Sequence, residues 1–194
     1  MTDYSLQLLK DQFPNIEFRD DYHDLNYSFR FAASNGHIKI CKWLMQFNPH
    51  IYSKDGYAFK QAAKNSHLEI CKWLIQFDTN IHAVNTAFGC ASENGHLDLC
   101  KWLMQFKPDV HVDYDYAFRW ATKNGHLEMC NWLMQFKPDV DVIHNAFICA
   151  AENNHLEVCK WLIEIDKDLI KLLNVRQFKK LNNYINLQRK KSAR

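Results

Sequence analysis

The chain of 194 residues is 47% hydrophobic, which suffices for a core, and its 4 prolines and 5 glycines are too few for a loop-rich β protein. No apolar run reaches the roughly 18 residues of a membrane-spanning helix, and residues 1–4 do not begin a secretory signal. The formal net charge of +2 is unevenly divided, because residues 167–194 carry +8 and the remainder −6.

Residues 1–28 have the character of an incomplete first repeat unit. Leu6, Leu9 and Phe13 suit one face of a helix. A stacked array needs a modified end unit, because an uncovered apolar face would meet water. We therefore predict an N-terminal capping unit over this segment.

One phrase, close to Asn-Gly-His-Leu-Glu-Ile-Cys-Lys-Trp-Leu, occurs five times along the chain. Self-similarity at a nearly constant spacing is typical of stacked repeats, in which each unit buries its apolar face against its neighbours. The phrase therefore predicts a helical solenoid. Its tryptophans are Trp43, Trp73, Trp102, Trp132 and Trp161, which are 30, 29, 30 and 29 residues apart.

Each full unit is predicted to contain two helices. In the second unit they cover residues 57–65 and 68–77, with apolar side chains at steps of three and four. The Asn-Gly between the helices tolerates positive φ and permits a sharp reversal, although Ser66 and Asn154 replace this glycine in two units. A short extended return, which contains proline in three units, stops the second helix. The segment after it, residues 52–56 and its counterparts, is the most variable part of each unit.

Beyond residue 166 the repeat pattern decays. Apolar residues at helical spacing between Leu169 and Ile185 predict one or two amphipathic closing helices. The basic residues 189–194 then predict a frayed tail.

The run from Tyr57 to Leu74 resembles an ankyrin repeat, whose pattern is T-P-L-H-x-A-A-x-x-G-H-L-E-I-V-K-L-L. The resemblance covers about residues 29–165. It departs from the family where Tyr-Ala-Phe-Lys replaces T-P-L-H, and the units are shorter than the family's usual length of about 33 residues. We therefore expect stunted hairpin fingers. Shortened repeats with Cys-Lys-Trp-Leu are similar to those abundant in large DNA viruses of amoebae.

The resemblance implies an all-α, ankyrin-like helical repeat solenoid with short extended returns between the units. We predict a capping unit over residues 1–28, five repeats over 29–166, and closing helices with a basic tail over 167–194. The five repeats cover about residues 27–56, 57–85, 86–115, 116–144 and 145–166.

His and Cys recur four residues apart in all five repeats, and both are zinc ligand types. The resemblance implies instead that this His begins the second helix and hydrogen-bonds the backbone, while the Cys replaces an apolar Val. These implied structural roles argue against a zinc site, so we predict no metal. A catalytic nucleophile needs a singular site, whereas these residues recur in five equal copies, so we also predict no enzyme and no cofactor.

The cysteines at the repeated position are predicted to be packed as free thiols, which favours a reducing, intracellular compartment. We therefore predict the cytoplasm, which is the host's cytoplasm if the protein is viral. The cysteines at the repeated position are Cys41, Cys71, Cys100, Cys130 and Cys159. Cys90 and Cys149 break the pattern and are predicted to fill gaps in the packing, with higher reactivity as the alternative.

Positions that vary between the repeats indicate a partner-binding surface on the first helices and the return segments, which we expect to line the concave side. Trp120, flanked by Arg119 and Lys123, has the character of a binding hot spot. One position predicted to be exposed reads Phe31, Gln61, Cys90, Trp120 and Cys149, and the returns add Asp55, Asp115 and His144. The candidate partner-binding residues are Phe31, Tyr52, Lys54, Gln61, Lys64, Tyr114, Arg119, Trp120 and Lys123.

We therefore predict a monomeric, non-catalytic scaffold or adaptor that binds a protein partner. The basic C-terminal tail leaves a second function open, which is contact with nucleic acid or with an anionic surface. A solvated face of a closing helix accounts for the same charges. A metal-dependent fold and a purely structural role are further alternatives.

Overall fold

A computed structural model of the chain describes residues 25–47, 53–77 and 80–192, of which 53–55 and 192 are described by backbone alone. Most of the predicted capping unit, residues 1–24, lies outside the described residues. The chain divides into two compact units, residues 1–87 and 88–194. All regular structure within the described ranges is helical, which confirms the all-α class.

The first compact unit contains two pairs of helices. The first pair is α1, Leu25–Ser34, and α2, Ile38–Leu44, and the second pair is α3, Ser53–Lys64, and α4, Leu68–Leu74. The two long helices α1 and α3 pack against each other. The next helix, α5, covers Ile81–Glu93 and contains the boundary between the compact units.

The second compact unit continues the alternation of longer and shorter helices. Helix α7 packs against α8 and α9, and α10 packs against α9 and α11. Short 3-10 turns follow α6 and α10, at Met104–Phe106 and Lys167–Leu172. The helices are α6 at Leu97–Leu103, α7 at Val112–Lys123, α8 at Leu127–Met134, α9 at Val140–Glu152, α10 at Leu156–Ile165 and α11 at Val175–Ser192.

A residue of positive φ reverses the chain between the two helices of each repeat. Gly36, Gly95 and Gly125 have φ of +79°, +74° and +79°, and Ser66 and Asn154 adopt the same region with φ of +62°. The histidine that follows is the N-cap residue of the second helix in all five repeats. The predicted reversal is thus confirmed.

Within each compact unit, this histidine binds the repeat before its own. His67 Nε2 lies 2.9 Å from the carbonyl oxygen of Ser34, and Asn65 Nδ2 donates to the same oxygen at 2.8 Å. His126 and Asn124 contact the carbonyl oxygen of Glu93 in the same way, at 3.0 Å and 2.8 Å. Because a carbonyl oxygen only accepts hydrogen bonds, Nε2 of each histidine carries the proton.

The histidine ring gives the preceding turn a second reason to contain glycine. A Cβ added to Gly36 would lie 2.8 Å from Cε1 of His67, and one added to Gly95 would lie 2.7 Å from Nδ1 of His126. Glycine therefore supplies both the positive φ and the space that the imidazole occupies.

The core is formed by the phenylalanine and alanine of each first helix together with the cysteine of each second helix. Phe88 and Phe147 are both 0% exposed, and the cysteines at the repeated position are at most 1% exposed. Ile70 is also buried in α4, whereas Leu68 is half-buried. Each first helix buries a phenylalanine and an alanine three residues apart on one face. These residues are Phe29, Ala32, Phe59, Ala62, Phe88, Ala91, Phe118, Ala121, Phe147 and Ala150.

None of the repeated tryptophans lies fully inside the core, and two of them, Trp73 and Trp132, lie between aromatic rings. All five are half-buried. The Trp73 ring is 6.2 Å from that of Phe29 in the preceding repeat, and the Trp132 ring is 6.1 Å from that of Phe88. Each of these indoles also makes an edge contact, at 5.2 Å, with the phenylalanine four residues later in its own repeat. Such aromatic pairs contribute roughly 0.5–1.5 kcal/mol beyond their buried area.

The variable segment before the phenylalanine belongs to the first helix in α3, α5 and α9, so the predicted first helix over residues 57–65 is too short. Helix α3 begins at Ser53 and α9 at Val140. The sequence predicted a return segment at these first turns. In these repeats the first helix therefore presents a longer surface than the sequence indicated.

An extra residue in two repeats is accommodated by left-handed backbone. The segment from Lys107 to Phe118 is one residue longer than its counterpart from Lys137 to Phe147. Three residues before Phe118 lies Asp115, with φ of +54°. The other repeat preceded by a 30-residue spacing has Gly56 at this position, three before Phe59, with φ of +73°.

The last part of the chain closes the second compact unit. Leu169 of the 3-10 segment and Leu181 of α11 are 1% and 2% exposed. Among the residues that the structure describes, no helix has the length and apolar character required to cross a membrane.

The burial of Phe147 predicts a large loss of stability when it is truncated. Phe147→Ala should lower the free energy of unfolding by about 3–5 kcal/mol, because it leaves a cavity in a packed core. Leu187→Ala, at a side chain that is 59% exposed, should change it by less than about 0.5 kcal/mol. Urea unfolding followed by circular dichroism measures both. Equal effects would contradict the assignment of the core.

Candidate protein-binding surface

Two of the predicted residues line a groove on the first helices of the first compact unit. Phe31 of α1 and Gln61 of α3 face the same space, which has a volume of about 410 Å³. The guanidinium of Arg30 lies 5.6 Å from the centre of the Tyr57 ring in the same groove. An aromatic ring beside a cation can contact both apolar and acidic groups of a partner. The remaining lining residues are Tyr27 and Ser34.

In the second compact unit, the corresponding surface of α7 is arranged around Trp120. The sequence predicted an exposed indole, but Trp120 is half-buried, because Lys123 and Tyr116 cover part of it. The Lys123 ammonium is 4.1 Å from the centre of the Trp120 ring, and the Tyr116 ring lies 5.6 Å from it. The tryptophan is therefore held in one position before any partner binds.

Tyr116 is fixed in turn by a carboxylate from the preceding helix. Its hydroxyl donates to Oε2 of Glu93 at 2.8 Å. Burial of the ring, followed by this hydrogen bond, raises the pKa of Tyr116 far above its usual value. The hydroxyl therefore remains a donor at neutral pH. The ring also leaves little room at Gly89, where an added Cβ would lie 3.1 Å from it.

Among the large hydrophobic side chains that the structure describes, Tyr114 is the most exposed. It is 85% exposed and has φ of +56°. Its neighbours Asp113 and Asp115 have φ of +52° and +54°, so that the start of α7 is a left-handed turn of three residues. Such backbone costs roughly 1–2 kcal/mol per residue, although aspartate tolerates it better than most side chains.

Polar contacts hold this left-handed turn in place. The Asp115 carboxylate lies 2.5 Å from Nδ1 of His111 and also accepts from the backbone N–H of Asp139 at 3.2 Å. Arg119 Nη2 donates to the carbonyl oxygen of Asp113 at 3.1 Å. The sequence analysis placed Asp115 on the surface, but the structure buries it to 6% exposure. Asp115 therefore supports the turn that displays Tyr114.

A groove of about 910 Å³ lies beside the turn. It is lined by Tyr114 and Arg119 from α7, and by residues of α9 and of the segment before it. The Nε of Arg119 is buried and has no hydrogen-bond partner within the described residues. Lys137 and Asp141 give the groove charges of both signs. The arrangement suits a partner that offers hydrogen-bond acceptors next to an apolar contact.

The structure describes the remaining predicted residues in full, by backbone alone or not at all. Lys64 is exposed at the end of α3. Tyr52 lies outside the described residues, and the side chains of Lys54 and Asp55 are not described although their backbone begins α3. The prediction that Cys90 is exposed is wrong, because its side chain is only 7% exposed.

The repeated histidines and cysteines do not converge. His126 faces the carbonyl oxygen of Glu93, whereas the Cys130 sulfur lies 3.4 Å from the hydroxyl of Thr122 inside the core. Burial raises the pKa of the Cys41, Cys71 and Cys100 thiols to about 12. In the part of the chain that the structure describes, no three His, Cys, Asp or Glu side chains are grouped so as to hold a metal ion.

Sequence reasoning missed the contacts that orient the surface. The pairs His111–Asp115, Tyr116–Glu93 and Lys123–Trp120 join side chains that belong to no repeated motif. The sequence carries one signal for the His111–Asp115 pair. The spacing between successive repeated tryptophans alternates between 30 and 29 residues, which marks the repeat with the extra residue. No pattern in the sequence indicates the second pair, which joins positions 23 residues apart.

Comparison with known families identifies this architecture. The family model for ankyrin repeats in three copies matches residues 29–114 and 88–171, which together cover most of the chain. The chain therefore belongs to the ankyrin-repeat family. Ankyrin repeats are generally protein–protein interaction modules, and the family is generally non-catalytic. No curated protein matches the chain in sequence.

Burial of His126 predicts a specific dependence of stability on pH. Burial lowers the pKa of His126 from the ordinary value of 6.5. Because the unfolded chain binds the proton more readily, the stability present above pH 6.5 is lost as the pH falls below that value. His126→Gln should therefore reduce the difference in unfolding free energy between pH 7.5 and pH 5.5, as measured by urea titration. An unchanged difference would contradict this environment for the histidine.

The cysteines should separate into two classes of reactivity. Six of the seven are buried, and only Cys149 is half-exposed. With Ellman's reagent at pH 8, the native protein should show one fast thiol and six slow ones, and denaturant should make all seven fast. Cys149→Ser should remove the fast phase. A fast phase that survives this substitution would show that one of the six buried thiols is accessible.

Proposed function

We propose that this ankyrin-repeat protein is a non-catalytic scaffold or adaptor, and that its partner protein contacts the exposed side of the first helices together with the turn at Tyr114. Membership of a family whose repeats generally mediate protein–protein interaction supports the general role. The display of Tyr114 is the single observation that favours this particular surface.

Tyr114 has the features of a binding anchor. Its side chain is 85% exposed, yet its backbone is held by the contacts of Asp115 and Arg119. An anchor that is already fixed loses little conformational entropy on binding, so more of its buried area contributes to affinity. Tyrosine is enriched among the residues that dominate interface energies, since its ring is large and its hydroxyl can bond at the rim.

Trp120 supplies a second contact on the same helix. The ring is partly open to solvent, and Lys123 lies over it as a cation. A partner carboxylate could pair with Lys123 while an apolar group packs on the exposed part of the indole. We further propose that Phe31 and Gln61, in the groove of the first compact unit, bind partner side chains of similar kind.

The setting that we propose is intracellular, in the cytoplasm, which would be a host's cytoplasm for a viral protein. Seven free cysteines support a reducing compartment, because oxidising compartments favour disulfides. We propose a monomer that acts through a partner rather than through catalysis. Tyr52, Lys54 and Lys64 remain part of the proposed surface.

Substitution of Tyr114 tests the surface. A pull-down with the wild-type protein identifies candidate partners, and calorimetry then measures the affinity of each one. Tyr114→Ala should weaken the partner's affinity at least tenfold, which corresponds to about 1.4 kcal/mol, and Trp120→Ala should have a comparable effect. Neither change should lower helicity, since Tyr114 is exposed and Trp120 is half-buried.

Phe178→Ala is the matched control, because it removes an aromatic ring that is 44% exposed on α11. It should leave the affinity within about twofold of the wild-type value. If every captured protein binds both α7 variants as tightly as the wild type, the proposed surface is wrong.

A further inference from the structure

Helix α11 carries a face of uncompensated positive charge. Its 18 residues include no aspartate or glutamate. Helical spacing places Arg176, Lys179 and Lys190 on the side opposite the buried Leu181. The six cations of the helix are Arg176, Lys179, Lys180, Arg189, Lys190 and Lys191.

No acidic side chain of the described residues forms an ion pair with these cations. The acids of the preceding segments have other partners, since Asp168 pairs with Lys171 at 2.6 Å and Glu157 accepts from Tyr184 at 2.9 Å. Lys180 donates to the neutral side chain of Asn154 at 2.6 Å, so its charge is not neutralised. A solvated helix in this position would normally carry acids among its bases, because mixed charges stabilise an exposed helix.

We propose that this face of α11 binds the phosphate backbone of double-stranded DNA. The cations form two clusters, residues 176–180 and 189–191, whose centres are about 18 Å apart at a rise of 1.5 Å per residue. The long side chains of such clusters reach phosphates on both sides of a major groove about 12 Å wide. Between the clusters, Asn182, Asn183 and Asn186 are exposed and present neutral donors.

The structure favours DNA over a membrane surface. A basic helix that lies on a lipid bilayer buries its apolar side in the lipid. In α11 that side is already in use, because Leu181 is 2% exposed and Tyr184 bonds to Glu157 of α10. On the cationic face the large exposed apolar side chains are Val175 and Leu187, which lie about 18 Å apart along the helix and form no continuous apolar surface.

Binding should depend steeply on salt. If the five cations other than Lys180 contact phosphates, the slope of log K against log salt is about −4.5, which corresponds to roughly a five-hundredfold loss of affinity between 50 and 200 mM salt. Fluorescence anisotropy of the full chain with a labelled 20-base-pair duplex of random sequence measures this slope. Neutralising the C-terminal cluster by R189Q, K190Q and K191Q should reduce its magnitude by about 2–3.

The control removes three charges from elsewhere in the same compact unit. Lys101→Gln, Lys107→Gln and Lys137→Gln alter exposed lysines outside α11, and the slope should then stay within about one of the wild-type value. Circular dichroism should show equal helicity in both variants.

Four results would overturn the proposal. The first is no binding of the duplex at 50 mM salt, and the second is an equal reduction of the salt slope in the two triple variants. The third is binding of polyglutamate or of phosphatidylserine vesicles as tight as that of the duplex. The fourth is tighter binding of a duplex RNA of the same length. None of these results bears on capture of a protein partner through Tyr114.

Discussion

The hydrogen bonds between the carbonyl at the end of one first helix and the Asn and His of the following repeat are the constraint on which the rest of the structure depends. The oxygens of Ser34 and Glu93 each receive two such bonds. A carbonyl at a helix end has no partner within its helix, and leaving it buried and unbonded costs roughly 1–3 kcal/mol. Because the histidine ring must lie over the preceding turn, the same contact requires a small residue there and sets the register of the two repeats.

Once the turn and the second helix carry this contact, the exposed side of the first helix is free to vary. The phenylalanine and alanine that face the core recur in every repeat, whereas the positions at Phe31, Gln61 and Trp120 do not. If the proposed surface binds the partner, stability and recognition use different sides of the same helix. Substitutions on the outer side would then change the partner without disturbing the bonds that join the repeats.

The recurring contacts could be predicted from the sequence, and those specific to one repeat could not. Five equal copies of Trp and Cys indicate packing because each must meet the same neighbours, and the structure places all five cysteines of the motif in the core. The fate of the extra residue near Asp115 depends on backbone handedness, which side-chain periodicity does not encode. Asp115 therefore looked like a surface residue, although its contact with His111 buries it. The burial of Cys90 could not be predicted either, because it depends on how the neighbouring helices pack around it.

The closing helix α11 contacts the end of the array on one side. After the last recognised repeat no further histidine follows, and Asn154 occupies the positive-φ position of the last turn. Lys180 of α11 bonds to this asparagine, and Tyr184 bonds to Glu157, so the helix satisfies polar groups at the end of the array with one side only. Its remaining cations are not needed for that contact. Residues 189–191 lie in the last turn of the helix, where cations suit the helix dipole, so their position needs no ligand to explain it. Arg176 and Lys179 lie far from that end and opposite the buried Leu181, and they form no ion pair within the described residues, so they are the cations that give the physical reason to expect an anionic ligand at this face.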